Sequence, residues 1–170
     1  MTTTGVFHGS PNKFSYFDDS RPRSVGHHFG DIDQALWRIQ GIGYIYQVEI
    51  RCDRPLIVDE DFGWEHPIWT LKKLFDYPEV VSFDELVAFI EYVESKVGDL
   101  SVYLEMVPDV KRAEANLMIV QFLEAKGYDG IIYPNTNEPR DHVEREAFCI
   151  FRGRQAKILN ITQVPELAAS

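Results

Sequence analysis

The hydrophobic periodicity changes twice along this chain, and the order of these changes limits the fold more than any other feature. In the first third the apolar residues alternate as they do in strands, most clearly over residues 44–50. The middle third follows the helical repeat, and the last third returns to strands, including the wholly apolar run 147–151. This order predicts an α+β fold with a mixed or antiparallel β-sheet core and a helical insertion at about 67–126.

Capping and turn residues place the ends of the predicted elements. Asp31 can cap a helix that runs to about Ile39, and residues 82–85 match a capping box at the start of a second helix. A third helix runs over about 109–126 and ends at Gly127. The remaining strand candidates are residues 6–8, 26–30, 55–58, 130–133 and 156–161.

Apolar residues at helical spacing predict which faces of the two longer inserted helices are buried. The first stripe comprises Phe83, Leu86, Val87, Ile90 and Val93. The second comprises Ala113, Leu117, Val120, Phe122 and Leu123. We expect each stripe to face the core of the insertion.

Charge and cysteine content exclude several classes of protein. The formal net charge of -10 argues against general attraction to nucleic-acid backbones, and it could favour a basic protein partner. Cys52 and Cys149 lie in apolar runs outside any cluster with zinc spacing, so no metal site is expected. The chain lacks a signal-peptide pattern and an apolar run that could span a bilayer. We therefore expect a single domain, 1–170, in the cytoplasm of its own cell or of a host cell.

Two histidine motifs suggest a binding site. His8, Gly9 and Ser10 end the first strand candidate, where an imidazole, an accessible backbone and a hydroxyl come together. The adjacent His27 and His28 should point to opposite faces of a short strand, so that one of them looks into a cleft. The alternative for each motif is an ordinary strand end followed by a turn.

An acidic segment precedes the apolar strand of residues 147–151. A carboxylate at the junction of a polar loop and an apolar strand occupies a position typical of a cleft. Any one of these carboxylates could instead belong to a solvated loop. The candidates are Glu138, Asp141, Glu144 and Glu146.

Taken in order, these motifs resemble the ADP-ribosyltransferase superfamily, on the branch related to diphtheria toxin and the poly(ADP-ribose) polymerases. The resemblance rests on residues 8–10, 26–31, 125–133 and 148–157, and it is greatest to small bacterial and phage members. It implies a split β-sheet and a transferase that uses NAD as its substrate. Such an enzyme cleaves the bond between nicotinamide and ribose and transfers ADP-ribose to a macromolecular acceptor, with a protein as the expected acceptor of a toxin or effector.

The resemblance also implies roles for the residues of the two histidine motifs. His8 would belong to the catalytic set and hold the ribose on the adenosine side of NAD. The Gly9 backbone and Ser10 would bind the nicotinamide amide. His28 stands where the branch has a stacking Tyr, and it would pack on the nicotinamide ring together with Phe29.

The chain departs from the family pattern at the position of the catalytic carboxylate. Ala147 occupies the position at which the branch has its catalytic Glu, so the acid must come from nearby. The order of preference is Glu146, Glu144 and then Glu138, and the chosen group would stabilise positive charge on the reacting ribose. Arg21 could meet the pyrophosphate, or it could only offset neighbouring carboxylates.

Two other functions stay open at this level. Water in place of a macromolecule as the acceptor would make the chain an NAD hydrolase. Because Ala147 and His28 depart from the pattern, the fold could also serve as an acidic binding module that has lost catalysis. The insertion at about 67–126 lies mostly outside the motifs, which makes it a place where an acceptor could be recognised.

Overall fold

The computed structural model of this chain contains two compact units. The residues described in it are 1–20, 24–60, 66–99, 108–136, 138 and 143–165. Unit 1 comprises Met1–Asp18, His27–Asp61 and Asp129–Ser170, and unit 2 comprises Asp19–Gly26 and Phe62–Tyr128. The predicted insertion at about 67–126 lies within unit 2.

Unit 1 contains the described strands and one helix. In chain order they are β1 (Thr2–Ser10), β2 (His27–Phe29), α1 (Ile32–Ile39), β3 (Gly43–Arg51), β4 (Pro55–Ile57), β5 (Gly130–Asn135), β6 (Arg145–Ile150) and β7 (Ala156–Val164). Unit 2 contains the helices α2 (Pro67–Leu74), α3 (Phe83–Val97) and α4 (Asp109–Ala125). This mixture of helices and strands confirms the predicted α+β class.

The strands of unit 1 form two sheets. The first sheet has the order β1-β3-β7 and is antiparallel throughout. The second has the order β2-β6-β5-β4 and is parallel only between β4 and β5. A single isolated bridge is the one strand pairing between the sheets among the described residues. In it Phe7 N–H donates to Gly30 C=O at 2.8 Å, and Gly30 N–H donates to Phe7 C=O at 3.0 Å.

The alternation of β3 produces a core on each of its faces. Tyr46, Val48 and Ile50 are almost fully buried on one face, as the sequence pattern predicted. On the other face Ile45 packs beneath α1. Burial of one such side chain stabilises the fold by about 1.5–3 kcal/mol. The larger core cluster also includes Val6, Phe17, Phe29, Cys52, Phe148 and Ile150.

Helix α1 begins at the predicted Asp31 cap, which in the structure is reciprocal. Gln34 N–H donates to Asp31 Oδ1 at 2.9 Å, and Asp31 N–H donates to Gln34 Oε1 at 2.8 Å. Each bond satisfies an N–H group that the first turn of a helix leaves without a partner. The cap fixes the direction in which α1 leaves β2.

Asp129 ties the start of β5 to the turn after β3. Its Oδ1 accepts hydrogen bonds from Cys52 Sγ at 3.1 Å and from Arg54 N–H at 2.8 Å. Its Oδ2 accepts one from Asp53 N–H at 2.7 Å. Burial raises the pKa of the Asp129 carboxyl, but these bonds outweigh burial, and the pKa is lowered from its ordinary value.

We expect Asp129→Asn to lower the free energy of unfolding by about 1–3 kcal/mol, because an amide cannot accept all three bonds. Since folding lowers the pKa of Asp129, its contribution is complete above the ordinary carboxyl pKa of 3.8 and is lost as the pH falls through the folded-state value. Urea unfolding at several pH values measures the difference. Asp53→Asn, at a half-exposed ion pair, is the control and should cost less than Asp129→Asn. An equal cost for both variants would contradict this account.

The helices of unit 2 confirm the predicted elements and correct their buried faces. Ser82 caps α3 and accepts a hydrogen bond from Glu85 N–H at 3.4 Å. The other half of the predicted capping box is not formed, because the Glu85 carboxylate pairs with Lys126 Nζ at 2.6 Å. Phe83 was expected in the buried stripe, but it is 67% exposed, because the buried face of α3 starts at Leu86. None of the helices formed by the described residues is long and apolar enough to cross a membrane.

The buried face of α4 is also rotated from the predicted one. It includes Val120 and Leu123 as expected, whereas Ala113 and Leu117 are only half-buried. Apolar residues alone did not reveal this face because a polar residue, Asn116, lies within it. The other buried residues of α4 are Ala115 and Ile119.

Candidate functional site

The His8 imidazole lies in a box of aromatic rings. Alternation along β1 turns its side chain to the core face, opposite Tyr46 of β3. Its ring centroid is 5.3 to 6.1 Å from four aromatic rings. We call these four residues the aromatic box: Phe14, Phe17, Phe29 and Tyr46.

A hydrogen bond to Tyr46 holds the loop after β1 against the first sheet. Phe14 N–H donates to Tyr46 Oη at 2.6 Å, and the two rings stack with centroids 4.0 Å apart. The loop therefore completes the aromatic box on the side of β3.

The His8 side chain replaces a hydrogen bond of the ladder between the two sheets. Phe7 and Gly30 exchange two backbone bonds, so the next such pair in a continuing ladder would be Gly9 and His28. Instead, the His28 carbonyl oxygen lies 2.8 Å from His8 Nδ1. The strands therefore stop pairing beyond the bridge, and we call the opening bounded by His8, Gly9 and His28 the wedge.

This contact also fixes the tautomer of His8. A carbonyl oxygen only accepts hydrogen bonds, so Nδ1 must carry the proton and Nε2 must present a lone pair. Burial lowers the pKa of His8 to about 4, with smaller lowering contributions from the charges of His27 and Arg38. At neutral pH the residue is therefore an uncharged acceptor, and Nε2 makes no hydrogen bond with the residues that the structure describes.

Two features of Gly9 matter for the site: the direction of its backbone N–H and C=O, and the lack of space for a Cβ. Its backbone N–H and C=O point away from β3, on the side of the bridge, because groups two residues apart on a strand share an edge. A Cβ at this position would overlap the carbonyl oxygen of Ala35 in α1. Glycine is therefore required for helix packing, and the same packing leaves an amide donor and an acceptor at the wedge.

The hydroxyl of Ser10 is used in a local turn. Ser10 Oγ donates to Asn12 C=O at 2.9 Å and lies 3.2 Å from Asn12 N. Ser10 is half-buried and follows Gly9, so it lies near the wedge but with its hydroxyl already bonded.

The two faces of β2 carry different groups, as the adjacent histidines predicted. His27 and Phe29 both contact the Phe17 ring, with centroids 5.4 and 5.1 Å apart. The His28 side chain points to the opposite face, where its Nδ1 lies 3.0 Å from Tyr133 Oη. The structure therefore does not bring the rings of His28 and Phe29 to one face of β2.

The three candidate carboxylates that the structure describes occupy three different environments. Glu144 precedes β6 and is exposed. Glu146 is exposed within β6, where it shares a face with Phe148. Glu138 is half-buried and forms an ion pair with Arg38, with 2.6 Å between Nη1 and Oε1. Arg21 and Asp141 lie outside the described residues.

Arg38 and Tyr133 are the site residues that the sequence analysis missed. Arg38 is in the last turn of α1, four residues after the buried Gln34, so it lies on the same side of the helix. That spacing could have drawn attention to Arg38. Tyr133 gave no such signal, because its contact with His28 depends on the order of strands in the second sheet.

Comparisons with protein-family models, with curated proteins and with solved structures give no match for this chain. Within the described part of the chain, no three His, Cys, Asp or Glu side chains come close enough together to hold a metal ion. The wedge therefore offers an uncharged nitrogen acceptor and a backbone amide, whereas Phe17, Phe29 and Tyr46 of the aromatic box are buried in the core.

Proposed function

We propose that unit 1 binds NAD at the wedge, cleaves the bond between nicotinamide and ribose, and transfers ADP-ribose to a macromolecular acceptor. One observation carries this proposal: His8 Nδ1 takes the place of a ladder bond, which leaves a lone pair on Nε2 and leaves the Gly9 backbone groups on the edge where the strands stop pairing. The resemblance in the order of the sequence motifs supports the same assignment.

The chemistry of the wedge fits both ends of this ligand. The N–H and C=O of Gly9 form a donor and an acceptor that complement a carboxamide such as that of nicotinamide. His8 Nε2 can accept a hydrogen bond from a ribose hydroxyl. An uncharged His8 does not repel the positive pyridinium ring.

In the proposed reaction the bond between ribose C1′ and the pyridinium nitrogen breaks, and its electron pair leaves with neutral nicotinamide. Positive charge then develops on the ribose, and a carboxylate close to the 2′-hydroxyl stabilises it. The nucleophile of the acceptor bonds to C1′ and releases its proton to water. Glu146, Glu144 and Glu138 are the candidates for the carboxylate.

Incubation of the protein with NAD labelled in the adenylate and with a cell lysate tests the function. We expect label on a discrete macromolecule, together with one nicotinamide released for each ADP-ribose transferred. Free ADP-ribose as the only labelled product would instead support an NAD hydrolase. A protein that neither binds nor consumes NAD would contradict the proposal and favour a binding module.

A further inference from the structure

Glu138 is held in place from two directions. Its Oε1 forms the 2.6 Å ion pair with Arg38, and its Oε2 lies 3.5 Å from Asn135 Nδ2. Its own backbone N–H donates to Asn135 Oδ1 at 3.1 Å, which turns the chain at the end of β5. These contacts restrict both the position and the orientation of the carboxylate.

Strand β5 lies between Glu138 and the wedge and contacts both. Asn135 and Tyr133 are two residues apart on β5 and therefore share a face, and Tyr133 Oη lies 3.0 Å from His28 Nδ1. The His28 carbonyl oxygen in turn accepts a hydrogen bond from His8 Nδ1–H at 2.8 Å. One strand, β5, therefore contacts both Glu138 and His28, which borders the wedge.

Arg38 relates Glu138 to the wedge through helix α1. It belongs to α1, the helix that packs against Gly9 through Ala35. Its charge is near enough to His8 to contribute to the lowered pKa of the imidazole. Arg38 follows Ala35 by three residues, so it lies on the side of α1 that packs against Gly9 while its guanidinium holds Glu138.

Folding stability does not account for this ion pair. The side chains of Arg38 and Glu138 are 42% and 23% exposed, and ion pairs of this kind contribute little to stability. Glu144 and Glu146 are exposed, and neither makes an ion pair or hydrogen bond with the described residues. Glu138 is the one of the three whose carboxylate is fixed in a defined orientation.

We propose that Arg38 is a positioning residue of the wedge, which holds Glu138 as the carboxylate that stabilises the reacting ribose. This inference rests on the proposed function. It makes Arg38 a residue needed for turnover, and it puts Glu138 ahead of Glu146 and Glu144 as the candidate carboxylate.

Kinetics of nicotinamide release and direct measurement of NAD binding test the inference in the full-length chain. We expect Glu138→Gln to lower kcat by about 100-fold or more. Arg38→Ala should lower kcat roughly 10- to 100-fold by misplacing the carboxylate, while the Kd for NAD changes less than about threefold. Arg38→Lys should recover part of the loss, because an ammonium keeps the charge without the planar shape of the guanidinium.

Two further variants separate a positioning role from a structural one. Arg38→Ala should have no additional effect in a Glu138→Gln background, because both changes remove the same contribution. Arg51→Ala breaks a comparable 2.8 Å ion pair in the same unit and should leave kcat unchanged. Wild-type kcat in both Arg38→Ala and Glu138→Gln would overturn this inference alone. A wild-type protein that neither binds NAD nor releases nicotinamide would overturn the proposed function as well.

Discussion

His8→Asn should weaken NAD binding by about tenfold while the chain stays folded. The shorter amide can still donate a hydrogen bond to the His28 carbonyl, which replaces the Nδ1–H bond of 2.8 Å. It cannot reach the position of Nε2, so the acceptor for a ribose hydroxyl is lost. The variant therefore separates the bond that holds the wedge open from the group that meets the ligand.

Titration calorimetry with NAD measures this effect, and thermal unfolding checks the fold. His8→Gln is the matched control, because its longer side chain can carry an oxygen to the position of Nε2. We expect His8→Gln to bind NAD more tightly than His8→Asn does. Wild-type affinity in a stable His8→Asn variant would contradict the assigned role of Nε2.

Gly9→Ala should destabilise unit 1 by about 3 kcal/mol, since overpacking against rigid backbone costs about 1–3 kcal/mol or more. The new Cβ would overlap the Ala35 carbonyl oxygen, which belongs to the backbone of α1 and cannot rotate away. The helix must move as a unit, and Arg38 moves with it. For a domain of this size the expected fall in Tm is roughly 6–12 °C.

Gly30→Ala is the comparison for this prediction. The Cβ at Gly30 would meet the end of the Gln34 side chain, which can turn aside with the loss of one capping bond. Its cost should stay near 1 kcal/mol, the typical contribution of a cap. Thermal unfolding followed by circular dichroism measures the Tm of both variants. A larger loss of Tm in Gly30→Ala than in Gly9→Ala would contradict the account.

Elements set by local sequence were predictable from the sequence. The Asp31 cap, the alternation of β3 and the buried strand β6 are each specified by neighbouring residues, and the structure confirms them. The exposure of Phe83 was not predictable, because the first residue of a capped helix can lie outside the buried face. The local signal fixes where α3 begins but not which way it faces.

The candidate site was predictable only where its residues are consecutive. The motif that contains His8 and Gly9 was found from its composition, but the contact between His8 and the His28 carbonyl requires two edge strands from different sheets to meet. The pairing of Arg38 with Glu138 depends in the same way on the placement of α1 beside the end of β5. Strand order is not encoded in local periodicity, so the carboxylate could not be chosen from the sequence.

The nitrogen resonances of the His8 imidazole test the central claim most directly. Long-range proton–nitrogen NMR spectra, recorded from about pH 5 to about pH 8, report the tautomer and the charge of the ring. The account predicts a neutral ring protonated on Nδ1 over this whole range, since its pKa is lowered to about 4, and an Nε2 resonance that shifts when NAD is added. A ring that titrates near the ordinary histidine value of 6.5, or an Nε2 resonance unchanged by saturating NAD, would contradict it.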